Sequence, residues 1–191
     1  PRPGSAEVTR LRRLRRAAAV ADQTLPVLND DTGLSEAAVL IRGIGELAGE
    51  GLAVPAGLND LADDELLVNA SLAELLDASE GDTLMLVKGM PTPVTVAGIV
   101  PDGALAGDGP AVLWTLAQQQ SFFDQADNMT AVFVSNVGDA ETGDALTEAA
   151  IELLEPVVGD LAISPLKADQ LAAAAASAEF ITTLFVTFGA F

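Results

Sequence analysis

Apolar residues change their spacing several times along the chain, and each change marks an element. Over residues 5–21, SAEVTRLRRLRRAAAVA, the positions Val8, Leu11, Leu14 and Ala18 recur at helical spacing behind Ser5 as an N-cap, which predicts a helix. TLPVL at 24–28 predicts a short strand, and the polar run NDDTG at 29–33 a turn. EAAVLIRGI at 36–44 predicts a second strand, and its unbroken Val39-Leu40-Ile41 run suits cover on both faces. The Gly- and Ala-rich stretch 45–58, with Pro55, reads as a loop holding a turn or two of helix.

The middle third has a regular order. ELLVN at 65–69 is a predicted strand, ASLAELLDA at 70–78 a short helix with Leu72, Leu75 and Leu76 on one side, and Glu80-Gly81-Asp82 a turn. TLMLVK at 83–88 predicts a strand. A turn at 89–93 then leads to VTVAGIV at 94–100, whose residues alternate as in a strand, and 101–110 is a Gly-rich loop. The last third predicts a strand at 111–114, a helix at 115–123, a strand at 129–135 and an amphipathic helix at 139–154 with Pro156 at its exit. A short strand at 161–164 follows. From Lys167 an Ala-rich helix runs into the uncharged FITTLFVTFGAF of Phe180–Phe191. No internal repeat is evident. Strands and helices mixed in this way imply an α+β or α/β domain, with 60–110 as a compact insertion between two halves of an outer layer.

Charge narrows the partners. The chain carries 28 acidic and 9 basic residues, a formal charge of −19. Six of the nine are Arg2, Arg10, Arg12, Arg13, Arg15 and Arg16; beyond them only Arg42, Lys88 and Lys167 remain. Phosphate binding needs clustered cations, so this surface excludes nucleic acid as a partner. Two Lys against sixteen Asp is the balance of a salt-adapted protein. The Arg cluster reads as a solvated helix face; contact with lipid headgroups or with the acidic body is the alternative.

Candidate chemistry is sparse. The chain has no Cys and no His, which removes disulfides, the commonest metal ligand and the commonest general base. Asp31-Thr32-Gly33 matches the aspartic-protease tripeptide, but it follows Asn29 and Asp30 rather than an apolar strand and has no second copy, so it reads as a polar turn. The Asp-rich stretches at 29–31 and 60–65 do not fit a calcium loop and read as solvated acids. There is no GxxxxGK[ST], no GxGxxG after a strand and no GxSxG. Ser164-Pro165-Leu166-Lys167 matches S-x-x-K without companion motifs. No catalytic, cofactor-binding or metal-ligating residue is therefore assigned, and no cofactor is expected. The terminal run is shorter than the roughly 20 apolar residues of a spanning helix, but it ends with the chain and not at a polar cap. It reads as the opening turns of a transmembrane helix, or alternatively as a core element.

The run LLVNASLAELLDASEGDTLMLVKGMPTPVTVAGIVPDGAL, residues 66–105, resembles the extracytoplasmic core domain of FtsX-like, or MacB-like, ABC permeases. The resemblance rests on Leu67-Val68-Asn69 introducing the helix Ser71–Leu76, on the turn Gly81-Asp82, on the strand Thr83–Leu86 and on the returning strand Val96–Val100. LPVLN at 25–29, AVLWTLAQQQSFF from Ala111, MTAVFVSNVGD from Met129 and the apolar terminus extend it more loosely. The Arg cluster at 10–16 has no counterpart in that family, and positive residues beside a span are scarce on the outer side of a membrane.

The resemblance implies a mixed-sheet, porter-like subdomain built from residues 1–59 and 111–166. It implies a small α/β subdomain inserted at 60–110, and at 167–191 a helix leading into a transmembrane segment. It further implies a non-enzymatic domain outside the cell membrane, a cytoplasmic ABC ATPase acting through the transmembrane helices, and a second permease subunit as dimer partner. ATP-driven motion would pass to lipid, lipoprotein, peptide or a regulated protein. The alternative is a membrane-anchored or secreted acidic binding module unrelated to ABC transport.

Overall fold

The computed structural model describes residues 14–46, 48–49, 55–103, 105–136, 147–158 and 162–165. The elements in chain order are β1 (Leu14–Asn29), β2 (Ser35–Ile44), β3 (Ala48–Gly49), a 3-10 turn at Leu58–Asp60, β4 (Glu65–Asn69), α1 (Ala70–Leu76), β5 (Thr83–Lys88), β6 (Met90–Val100), β7 (Ala111–Thr115), α2 (Leu116–Phe123), β8 (Ala131–Asn136) and α3 (Thr147–Val158). The protein is thus α+β with one mixed sheet. The chain divides into two compact units, Arg16–Ser135 and the flanks Pro1–Arg15 with Asn136–Phe191.

Within the first unit the hydrogen-bonded path runs β2-β7-β4-β6-β5-β1, and β1 pairs again with β2, so the path closes on itself. Closure gives each of these six strands a neighbour on both sides over part of its length. The closed path also has an internal correspondence that the sequence does not display. β4 lies parallel to β6 as β7 lies parallel to β2, and β5–β6 is an antiparallel hairpin as β1–β2 is. The two halves meet through the antiparallel contacts β4–β7 and β5–β1. In each half a strand runs straight into a helix capped by that strand's last side chain: Asn69 accepts from the Leu72 amide, and Thr115 accepts from the Gln118 amide. Each helix stops at an aspartate in the left-handed conformation, Asp77 at φ 47° and Asp124 at φ 55°. Asp and Asn tolerate that conformation better than most residues because a short polar side chain can bond locally.

Strand side chains alternate between faces, and both faces are covered. Val39, Ile41, Leu66, Val68, Leu84, Leu86, Val94, Val96, Val112 and Trp114 pack with Leu72 and Leu76 of α1 and Phe123 of α2 in one cluster. The opposite parity, Ile44, Leu67, Ala111 and Leu113, packs with Val20, Leu58 and Leu105 in a second, joined by Val100, which the register shift at Ala97 turns to that face. This is why β2, β4 and β7 read as unbroken apolar runs. Full burial of each large side chain is worth roughly 1.5–3 kcal/mol. Trp114 adds a hydrogen bond from Nε1 to the Glu65 carbonyl at 2.7 Å and packs on Phe122 at 5.1 Å.

Several expectations are corrected. Residues 14–21 of the expected helix are strand: Ala17 pairs with Ala48 and Val20 with Ile44, and ladder pairing overrides the helical preference of the Ala run. Residues 5–13 lie outside the described residues. The turn expected over 89–93 shrinks to Gly89 at φ 78°, and Pro91 and Pro93 lie inside β6 opposite Val87 and Met85. They are accommodated because that end of β6 pairs only with β5; its pairing with β4 begins at Thr95. Pro156 lies within α3, which runs on to Val158. Residues 162–165 are not strand. Among the described residues no helix is long and apolar enough to cross a membrane, and the expected helix from Lys167 lies outside them.

Candidate functional site

A concavity of about 790 Å³ on the Arg16–Ser135 unit lies over the second half of β6. A β-bulge creates it. The β4–β6 register steps from Leu66 opposite Val96 to Leu67 opposite Gly98, so Ala97 is the extra residue and the strand bends there. Gly98 matters at this bend, since a Cβ on it would stand 3.3 Å from Leu67 Cδ2. Leu67, Val100, Leu105 and Ala106 form a buried apolar floor. Pro55, Ala56 and Gly57 make one wall and Pro101, Asp102 and Gly103 the other, with Ile99 at the margin.

The rim is acidic. Asp60, Glu65, Glu80 and Asp102 surround the floor, and among the described residues no basic one lines it. Asp102 accepts from the Ser71 amide and hydroxyl at 3.1 and 2.8 Å, which ties one wall to the start of α1. Glu65 accepts from the Ala62 amide at 2.9 Å. Arg42 and Lys88 are the only basic residues between Ala17 and Ser135, and both are engaged elsewhere. Arg42 forks onto Asp22, its cross-strand partner, with Nε and Nη2 at 2.8 and 2.7 Å, and lies over the Phe133 ring. Lys88 donates to the Phe122 carbonyl and to Asp124, and lies over the rings of Phe122 and Phe123.

The motifs singled out from sequence turn out to hold structure. Asp31 Oδ2 accepts from the Thr83 amide at 2.8 Å, and Thr32 Oγ1 donates to the Leu76 carbonyl at 2.9 Å, so the Asp-Thr-Gly turn fastens β1 to β5 and α1. Asn69 is fully buried and uses its whole amide: Nδ2 donates to the Ala106 and Gly109 carbonyls, while Oδ1 accepts from the Leu72 and Ala111 amides. Asp82 accepts from the Ser79 amide and from Asn29 Nδ2, with Gly81 at φ 93° making the turn. Ser164 sits in the irregular 162–165 segment, and Lys167 lies outside the described residues, as do Arg10, Arg12 and Arg13. Among the described residues no three acidic side chains converge closely enough to hold a metal ion. From sequence Asp60 is only a solvated acid and the groove has no signal; the bulge at Ala97 depends on register, which one strand's pattern does not carry.

No protein-family model matches the chain, and no curated protein does. Solved structures do resemble it, two of them being the following. One is the extracellular domain of the noncanonic ABC-type transporter YknZ from Gram-positive bacteria, at 15% identity, covering 80% of this chain and 82% of that one with a TM-score of 0.47. Another is the periplasmic region of MacB from Actinobacillus actinomycetemcomitans, at 14% identity, covering 72% of this chain and 66% of that one with a TM-score of 0.43.

Proposed function

We propose that this chain is the extracytoplasmic domain of an ABC transporter permease, and that it passes ATP-driven motion from the membrane to an external substrate or partner without a catalytic centre of its own. The observation that carries the reading is the 66–105 signature. Asn69, Gly81, Asp82 and Gly98 each do a structural task there that few other residues could do, so the resemblance rests on anchor positions and not on bulk hydrophobicity. The Arg16–Ser135 unit suits a driven head. Its six-strand path closes on itself, and its first and last strands, β1 and β8, pair with each other. On this reading the inserted subdomain is the Arg16–Ser135 unit, wider than 60–110. The partners are a cytoplasmic ABC ATPase, a second permease subunit and the membrane.

The test is coupling. A Gly-Pro pair inserted beside Ala174 in the complete permease, reconstituted with its ATPase, is expected to leave ATP hydrolysis running while external activity is lost. Unchanged coupling would refute the reading. The groove gives one reason to keep a second reading in view, that of a membrane-anchored or secreted binding module unrelated to ABC transport. For such a module, a chain expressed without any ATPase would retain its whole activity.

A further inference from the structure

The groove over β6 joins three features that together specify a ligand class. The floor of Leu67, Val100 and Leu105 is apolar and sized for a small guest. The rim carries four carboxylates, Asp60, Glu65, Glu80 and Asp102, and among the described residues none of them is ion-paired, since the ion pairs there are Arg42–Asp22 and Lys88–Asp124. The third feature is backbone. β5 accompanies β6 only as far as Thr95, and the last contacts on that side are Gly81 N to Val96 O and Val96 N to Asp82 O. Among the described residues, Ala97–Val100 is paired on one side only, to β4. Ala97 and Ile99 are exposed there, Ile99 by 42%. An unaccompanied strand edge inside a groove takes an extended chain as an added strand: main-chain hydrogen bonds supply affinity, and alternate side chains supply specificity.

We propose that this groove binds an extended cationic, amphipathic peptide along Ala97–Val100. Its apolar side chain sits on the Leu67–Val100–Leu105 floor, and its Lys or Arg side chains reach Asp60, Glu80 and Asp102. A peptide fits better than a compact organic cation because only a peptide also satisfies the backbone edge. The inference deepens the external-domain reading by naming a ligand class for it, but its test is independent: peptide binding decides this proposal, and ATPase coupling decides that reading.

The experiment uses the full chain and three labelled octapeptides, (Lys-Leu)4, (Lys-Ser)4 and (Glu-Leu)4, followed by fluorescence anisotropy, with amide hydrogen exchange as a second readout. The (Lys-Leu)4 peptide is expected to bind and to slow exchange within 97–100, with the other two weaker by about tenfold or more. The pair Asp60→Asn with Glu80→Gln, two exposed side chains, is expected to weaken (Lys-Leu)4 by up to about tenfold. The pair Asp30→Asn with Asp127→Asn, away from the groove, is expected to leave it unchanged. Equal binding of (Lys-Leu)4 and (Lys-Ser)4 would overturn the proposal. So would equal weakening by the two variant pairs, which would mean attraction to net charge alone, or binding without protection in 97–100.

Discussion

At the scale of single residues, stability concentrates in a few buried polar groups. Asn69 is fully buried, and its amide joins β4, α1, the 106–109 turn and β7. Asn69→Ala removes a helix cap and strands two carbonyls and two amides, so a loss of about 3 kcal/mol is expected in urea unfolding of the full chain. A change below about 0.5 kcal/mol would mean that these bonds contribute little beyond what water supplies. Arg42 is another such group, 8% exposed and forked onto Asp22. Arg42→Ala leaves the Asp22 charge beside a hydrophobic cluster and is expected to cost about 3 kcal/mol, whereas replacing both partners by apolar residues recovers most of that. The double-mutant comparison separates a pair that stabilises from one that is costly only when broken. The place of Asn69 between strand and helix was legible in sequence as Leu67-Val68-Asn69, but its capping bond was not. The Arg42–Asp22 pair was not, because pairing across a hairpin needs the register.

At the scale of elements, legibility followed how far local pattern and tertiary setting agree. β4 and β5 lie where 65–69 and 83–88 were read, because turn residues bound their apolar runs on both sides. β1 was misread over 14–21 because Ala17-Ala18-Ala19 has the highest intrinsic helix preference, and only pairing to β2 and β3 makes it strand. The correspondence between the β4–α1 and β7–α2 halves was hidden for a related reason: Asn69 and Thr115 do one job with different side chains. The α2–β2 contact yields a further expectation. A Cβ on Gly43 would stand 2.5 Å from Gln119 Cβ, so Gly43→Ala should push α2 off β2 and cost about 1–3 kcal/mol. Gln119 itself is fully buried, with neither amide atom hydrogen-bonded. Gln119→Met keeps the shape and removes that desolvation cost, so a rise in Tm equivalent to about 1 kcal/mol is expected; a fall would show that the amide has a partner such as an internal water.

At the scale of the whole molecule, charge sets behaviour. With a formal charge of −19, repulsion among carboxylates opposes the compact state, and salt screens it. The Tm of the chain should therefore rise between about 0.05 and 1 M NaCl, where the Debye length falls from more than 10 Å to about 3 Å. A flat or falling Tm would mean that the acids are already balanced locally. The same surface suits the external-domain account, which needs a domain that stays solvated in an aqueous exterior. Because the chain contains no cysteine, that account can be tested by one introduced thiol. Met90, at the tip of the β5–β6 hairpin, is 79% exposed. In the complete protein, otherwise freed of cysteine and expressed in its own cells, Met90→Cys should react with a membrane-impermeant maleimide added to intact cells. Labelling that appears only after lysis would contradict the extracytoplasmic assignment.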